Sequence, residues 1–322
     1  MPEKLRIVFM GTPDFAVESL KALLDSGQQV VAVITAPDKP AGRGKKIVSP
    51  PVKKYAEQKD ISVILQPANL KDHGFIKKLK TLNTDLFVIV AFRMLPEVVW
   101  SIPPKGTINL HASLLPDYRG AAPINWAIIN GEKETGVTTF FIEKDIDTGQ
   151  IIFRDKAEIT PEMNAGELHD LLMKKGAQLL VKTIKAITNN SYPFISQKEL
   201  LKGKTLHIAP KLSKMDGKIN WNNASENIYN RIRGLSPYPA AWTIINNKTS
   251  SFILKLYESR YEIIRHSHQP GTIVSDDSTY LKVSVNDGFI DILNLQLSGK
   301  NRMGIKEFLR GFKDIGDYTI IV

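Results

Sequence analysis

Asn109 and His111 stand two residues apart at the end of a short apolar run, and the triplet Asp147-Thr148-Gly149 follows downstream. On an extended strand alternate side chains share a face, so the amide and the imidazole can point into one cleft. With a carboxylate added, these are parts for passing an acyl group to an amine. That chemistry needs a neutral amine, a polarised carbonyl and a proton for the leaving group. Donors placed around the developing oxyanion supply much of the rate, and an Asn amide and a protonated imidazole can both donate there. An imidazole also shuttles protons, because its ordinary pKa of about 6.5 lies near working pH. Asp147 either fixes the His111 ring and favours its charged form, or holds a water that relays protons; the residues leave both open. Singly, each residue is ordinary: a His at a strand end is commonly structural, and an Asp before Thr-Gly is commonly a turn residue. Ser113 lies two residues beyond His111 with no G-x-S-x-G turn, which argues against a serine hydrolase.

The elements that must hold these groups alternate. Apolar runs rich in β formers at 5–10, 30–34, 62–65, 85–91 and 107–111 read as strands, and helical spacing marks 15–24, 51–59 and 73–82. Strands alternating with helices imply a mostly parallel sheet covered on both faces, with ligands beyond the carboxyl ends of its strands. Asn109 and His111 lie at such an end. Gly11-Thr12-Pro13 lacks the G-x-G-x-x-G pattern and Pro13 removes a backbone donor, so a turn is the better reading there than a dinucleotide loop. Strands at 135–142 and 150–154 flank Asp147 and put it on a loop. A long amphipathic helix follows at 164–187, with Asn164-x-x-Glu167 as its start signal. Leu168, Leu171, Leu172, Leu179, Leu180 and Ile184 are its core stripe.

Near residue 190 the pattern changes. Residues 190–210 read as a linker, and short strands at 252–257, 272–274, 281–285 and 289–295 suggest a small barrel, an OB-like one leading. Asp287-Gly288 is a hairpin signal between the last two. The expected fold class is therefore α/β: a Rossmann-like N-terminal domain at 1–189 and an OB-like β-barrel at 211–322.

At 322 residues, 43% apolar and 24% charged, the chain has material for two packed domains. Its formal charge of +10 fits a polyanionic partner and equally a basic but indifferent surface; charge alone does not choose between them. Residues 211–322 hold 15 Lys and Arg against 11 Asp and Glu, a mild excess. The absence of Cys excludes disulfides, thiolate metal sites and Cys nucleophiles, and six His without ligand spacing make a metal centre unexpected. No signal-peptide pattern and no stretch of about twenty apolar residues is seen, so a cytoplasmic protein is expected. A monomer is expected as well.

The string Asn109-Leu110-His111-Ala112-Ser113-Leu114-Leu115-Pro116, with Arg119-Gly120-Ala121-Ala122-Pro123 and Asp147-Thr148-Gly149, closely resembles the folate-dependent formyltransferases. The resemblance covers nearly the whole chain. It implies that Asn109, His111 and Asp147 act on the formyl group of 10-formyltetrahydrofolate as co-substrate, without a metal. It also implies that Ser113, Leu114, Leu115 and Pro116 line the folate pocket, mainly through backbone and apolar contact. The segment with Phe92, Arg93, Met94 and Leu95 would contact the pterin through backbone groups. Relatives commonly carry Tyr-Gly where Phe92-Arg93 stand here.

Residues 35–54 hold six basic side chains and one acidic. Within them Pro37-Asp38-Lys39-Pro40-Ala41-Gly42-Arg43-Gly44-Lys45-Lys46 resembles an inserted loop of the family's tRNA-acting members. That resemblance implies methionyl initiator tRNA as the acceptor, met by Arg43, Lys45 and Lys46 at its phosphates. Residues 211–221 and 231–242 resemble the family's domain junction and the entry to its barrel; Trp221 and Trp242 are read as core rather than as stacking partners for bases. Two alternatives stand beside this: the same chemistry on a 4-amino sugar nucleotide, or a non-enzymatic RNA-binding protein.

Overall fold

The computed structural model describes residues 4–41, 46–201, 203 and 205–321. In chain order the elements are β1 (Arg6–Gly11), α1 (Asp14–Asp25), β2 (Gln29–Ile34), β3 (Lys39–Ala41), β4 (Lys46–Val48), α2 (Pro51–Gln58), β5 (Ile64–Leu65), α3 (His73–Thr81), β6 (Leu86–Val90), α4 (Glu97–Trp100), β7 (Thr107–His111), β8 (Arg119–Gly120) and α5 (Pro123–Ile129). There follow β9 (Glu134–Phe141), β10 (Ile151–Glu158), α6 (Ala165–Thr188), α7 (Gln197–Leu200), β11 (Ile208–Ala209), α8 (Ser225–Leu235), β12 (Ala241–Asn246), β13 (Ser251–Ile263), β14 (Ile273–Ser275), β15 (Leu281–Val285), β16 (Gly288–Leu297), β17 (Met303–Gly304), α9 (Ile305–Gly311) and β18 (Thr319–Ile320). Packing divides the chain into two compact units. The first comprises residues 1–120, 134–158 and 169–208; the second comprises 121–133, 159–168 and 209–322.

The first unit is built on a seven-stranded sheet of order β10-β9-β7-β6-β1-β2-β5. Its central pairs are parallel, and β9 and β10 run antiparallel at one side. Every residue of β6 is buried, as a parallel strand covered on both faces requires. Val8, Met10, Phe87 and Ile89 pack on one face with Phe75 and Leu79 of α3, while Ile7, Phe9, Val88 and Val90 on alternate positions are equally buried. α3 starts where the Asp72 carboxylate accepts the Phe75 N–H at 2.8 Å. Residues 190–210, expected as a linker, carry structure: Ile195 bridges Ile151, and Gln197 opens α7 in a buried position.

The second unit is an antiparallel, near-closed barrel of order β14-β15-β16-β13-β12-β18, with β17 on β16. Leu254, Leu256, Val283, Val285, Ile290 and Ile292 fill it, and α8 adds Ile228, Ile232 and Leu235. Trp221 is completely buried in this core, its indole N–H donating to Thr243 Oγ1 at 3.0 Å. Trp242 is 8% exposed and donates to the Lys214 carbonyl, so both indoles pack rather than present a face. The start of α6 is capped within this unit: Asn164 Oδ1 accepts from Gly166 and Glu167 N–H, and Glu167 accepts from the Asn164 N–H at 2.9 Å. Strand β13 runs six residues past the expected end at 257, with register shifts near Glu258. No helix of the described residues is long and apolar enough to cross a membrane.

Candidate active site

The sequence places its chemistry at the carboxyl end of β7, and the structure brings His111 and Asp147 together there. The short run 107–111 is flanked by Gly106, whose φ of +85° gives the turn into the strand. Asn109 pairs with Ile89 and Phe140 on either side and is partly exposed. His111 is 7% exposed, and its Nε2 lies 2.9 Å from the Tyr118 carbonyl oxygen. A carbonyl only accepts, so Nε2 carries a proton and donates. Nδ1 is then the nitrogen left for chemistry, and it sits 3.9 Å from Asp147 Oδ2, an ion-pair separation rather than a hydrogen bond.

Asp147 is held from several sides. Its φ of +53° puts a non-glycine residue in the left-handed region. Its Oδ2 accepts the Gly120 N–H at 3.0 Å. The Gln197 amide donates to the Asp147 carbonyl at 2.9 Å and to the Gly149 carbonyl at 2.8 Å. Gln197 Oε1 in turn accepts from Arg119 Nε and Nη2 at 3.1 and 2.6 Å. Burial lowers the pKa of the Arg119 guanidinium, and the nearby Asp147 charge opposes that. Gly149 is required sterically: a Cβ there would fall 1.8 Å from the Phe141 carbonyl oxygen.

The segment after His111 is pinned from beneath. Thr138 Oγ1 donates to the Ser113 carbonyl at 2.6 Å and accepts the Leu115 N–H at 3.1 Å. Ser113 is fully buried and its hydroxyl donates to the Asp117 carbonyl, which suits no nucleophile. Leu115 packs with Phe140 and Ile151, and Pro116 is buried; Leu114 is partly exposed and lies against Gly136. Of the 92–95 segment, Phe92 and Leu95 pack into the core under the sheet, while Met94 is 76% exposed. Arg93 donates to the carbonyls of Ala68, at 2.9 Å, and Pro67, tying down that neighbouring loop. Lys46 is exposed at the start of β4; Arg43 and Lys45 lie outside the described residues.

Three residues around Asp147 and Ser113 escaped the sequence reading of the site. Gln197 gave no signal, because a lone Gln in a basic stretch carries no motif. Arg119 belongs to the string that carries the family resemblance but has no role implied by it, and Thr138 looks like any β-branched strand residue. No spacing rule could have linked Gln197 to Asp147, since the contact is made by the fold across 50 residues.

Residues 5–184 match the formyl transferase family profile, and residues 211–313 match that of the formyl transferase C-terminal domain. The chain is 50% identical over 312 residues to the methionyl-tRNA formyltransferase of Bacteroides thetaiotaomicron, covering 97% of each. It is 54% identical over 312 residues to that of Azobacteroides pseudotrichonymphae, covering 96% of each. Among solved structures it resembles WlaRD, a sugar 3N-formyl transferase, with a TM-score of 0.64 and 24% identity over 93% of this chain and all of that one. It resembles the N-formyltransferase of Helicobacter canadensis, crystallised with folinic acid and dTDP-3-aminofucose, with a TM-score of 0.62 and 23% identity over 89% of this chain and 98% of that one. At that identity the two structures share the fold.

Proposed function

We propose, for a chain that belongs to the formyl transferase family, that its reaction is transfer of the formyl group of 10-formyltetrahydrofolate to the α-amino group of methionyl initiator tRNA. The acceptor is taken from relatives at 50–54% identity that match over 96–97% of both chains. The chemistry rests on one observation of the site, the buried His111 imidazole facing Asp147 at 3.9 Å beside Asn109. The amine nitrogen forms a bond to the formyl carbon, and the bond from that carbon to the folate nitrogen breaks. The proton lost by the amine is matched by one gained at the leaving nitrogen. Asn109 donates to the oxyanion between these steps. His111, with Nε2 anchored on Tyr118, moves the proton through Nδ1. Asp147 orients the ring and balances its charge when protonated.

Residues 92–95 and 113–116 form the folate-side wall in this reading. Side chains of Phe92, Leu95, Ser113, Leu115 and Pro116 are largely turned inward, so backbone groups with Met94 and Leu114 would meet the co-substrate. Residues 1–189 form the catalytic domain, Arg43, Lys45 and Lys46 meet acceptor phosphates, and residues 211–322 contribute a tRNA-binding surface. The test is formyl transfer to methionyl initiator tRNA, with methionyl elongator tRNA and a 4-amino sugar nucleotide in parallel. Turnover with the initiator tRNA alone is expected. Turnover with the sugar alone would keep the roles of Asn109, His111 and Asp147 and overturn the acceptor. Replacing Arg43, Lys45 and Lys46 together by Ala is expected to raise KM for tRNA and leave folate binding alone; unchanged tRNA kinetics would remove the loop's role.

A further inference from the structure

We infer that Gln197 is a positioning residue for the transfer reaction: its side-chain amide sets the Asp147 loop and so the carboxylate that faces His111. The inference rests on the formyl-transfer reading above. Gln197 is 3% exposed, and every hydrogen-bonding atom of its amide is engaged. One oxygen takes two N–H groups of a single guanidinium, while one nitrogen gives its two protons to two carbonyls of the same loop, two residues apart. Among side chains an amide offers an acceptor and a double donor at once; a carboxylate only accepts and an ammonium only donates.

What the amide holds is a strained place. Asp147 sits at a φ of +53°, a conformation that a non-glycine residue keeps only when its surroundings over-determine it. Gly120 N–H fixes the carboxylate end of this residue and Gln197 fixes its carbonyl end. With both ends held, the carboxylate is directed at His111 Nδ1. Arg119 completes the device, since it precedes Gly120 in β8 and grips Gln197. One guanidinium thereby braces both anchors of the aspartate. A misplacement of about 1 Å in such a group costs roughly 10²-fold in rate.

The deciding variant is Gln197→Glu, measured at neutral pH in the full chain. It preserves shape and the Arg119 contact but turns a carboxylate oxygen toward the Asp147 and Gly149 carbonyls. Gln197→Ala accompanies it. The readouts are kcat, KM for donor and acceptor, and hydrogen exchange at the Gly120 amide, which the Asp147 carboxylate protects. We expect kcat to fall about 10²-fold in both variants, both KM values to stay near wild type, and Gly120 to exchange faster. Wild-type kcat in Gln197→Glu would overturn the assignment, because the amide would then serve Arg119 alone. Unchanged Gly120 exchange would overturn it too. Should Gln197→Ala fail to fold, Gln197→Glu decides. Should wild-type protein transfer nothing to methionyl-tRNA, the function reading fails while the exchange measurement still tests the clamp.

Discussion

Two antiparallel hairpins in this chain carry an aspartate in the connection and a glycine close behind it. Between β9 and β10 the connection contains Asp147 and Gly149; between β15 and β16 it is Asn286-Asp287, followed by Gly288. In both, a Cβ on the glycine would land 1.8 Å from a carbonyl oxygen of a neighbouring segment, Phe141 in one and Glu262 in the other. The aspartates differ in what faces them. Asp287 gives both oxygens to Ser225, accepting its N–H at 2.8 Å and its hydroxyl at 3.2 Å at the start of α8. That carboxylate is consumed by the fold. Asp147 takes one backbone N–H and otherwise turns toward a buried imidazole, while its backbone is held by a side chain from elsewhere. A carboxylate offers about four lone-pair sites; Asp287 turns both of its oxygens to Ser225, whereas Asp147 uses Oδ2 for the Gly120 N–H and faces His111 with the same atom. Turn chemistry builds the corner; the group opposite decides whether the corner does chemistry.

The sharpest way to break this comparison is to remove each carboxylate. Asp147→Ala is expected to lower kcat on the order of 10²–10⁴-fold, the span that general acid–base catalysis contributes, and to lower stability by about 1 kcal/mol through the lost Gly120 hydrogen bond. Asp287→Ala is expected to leave kcat alone and to lower stability by about 1 kcal/mol through the lost hydrogen bonds at α8. Parallel losses of kcat in steady-state assays of the two variants would end the distinction.

The glycines come next. Gly149→Ala and Gly288→Ala each drive a methyl into a backbone carbonyl that has no flexible end to yield. Both should cost about 2–4 kcal/mol in denaturant unfolding, as large steric effects do. Only Gly149→Ala should also lower kcat per folded molecule, because only that hairpin turns its carboxylate toward the His111 imidazole. A folded Gly149→Ala enzyme with full kcat would show that the Asp147 loop tolerates displacement.

How far these roles were legible in the sequence follows the range of the interactions. β7 and β15 were read with their observed bounds, 107–111 and 281–285, because each is a compact apolar run between turn residues. The capping pair Asn164 and Glu167 was read because both partners lie within one turn of helix. Asn109, His111 and Asp147 were grouped only through the whole string around them, and the structure brings His111 and Asp147 of that proposed set together. Gln197 was not, because its partners are brought to it by the sheet and by the Ile195–Ile151 bridge. α8 was missed for a different reason. Its stripe Ile228, Ile232 and Leu235 has helical spacing, but Glu226, Asn227, Asn230, Arg231 and Arg233 outnumber it and mask the periodicity. β13 was cut short at 257 because the alternation beyond it is mostly polar and its register shifts near Glu258.

The smallest expected effect lies in the barrel and concerns a carboxylate that, unlike Asp287, gains little from its site. Asp291 on β16 stands between Lys282 and Arg260 on the adjoining strands. Burial raises its pKa above the ordinary carboxylate value, the two cations pull it down, Glu262 pushes it up, and burial prevails. The folded state therefore holds this proton more tightly than the unfolded chain. Stability contributed by the protonated form is complete below the unfolded pKa, about 4, and is lost as pH rises through the folded one. At neutral pH the charged, partly desolvated carboxylate is a net cost, and Asp291→Asn removes it. The variant is expected to unfold at a slightly higher temperature than wild type at pH 7 and at the same temperature in acid below about pH 4. Because the group is partly solvated, the gain should be only a few tenths of a kcal/mol. A lower melting temperature at pH 7 would mean that attraction to Lys282 and Arg260 outweighs burial, and that Asp291, like Asp287, works for the fold.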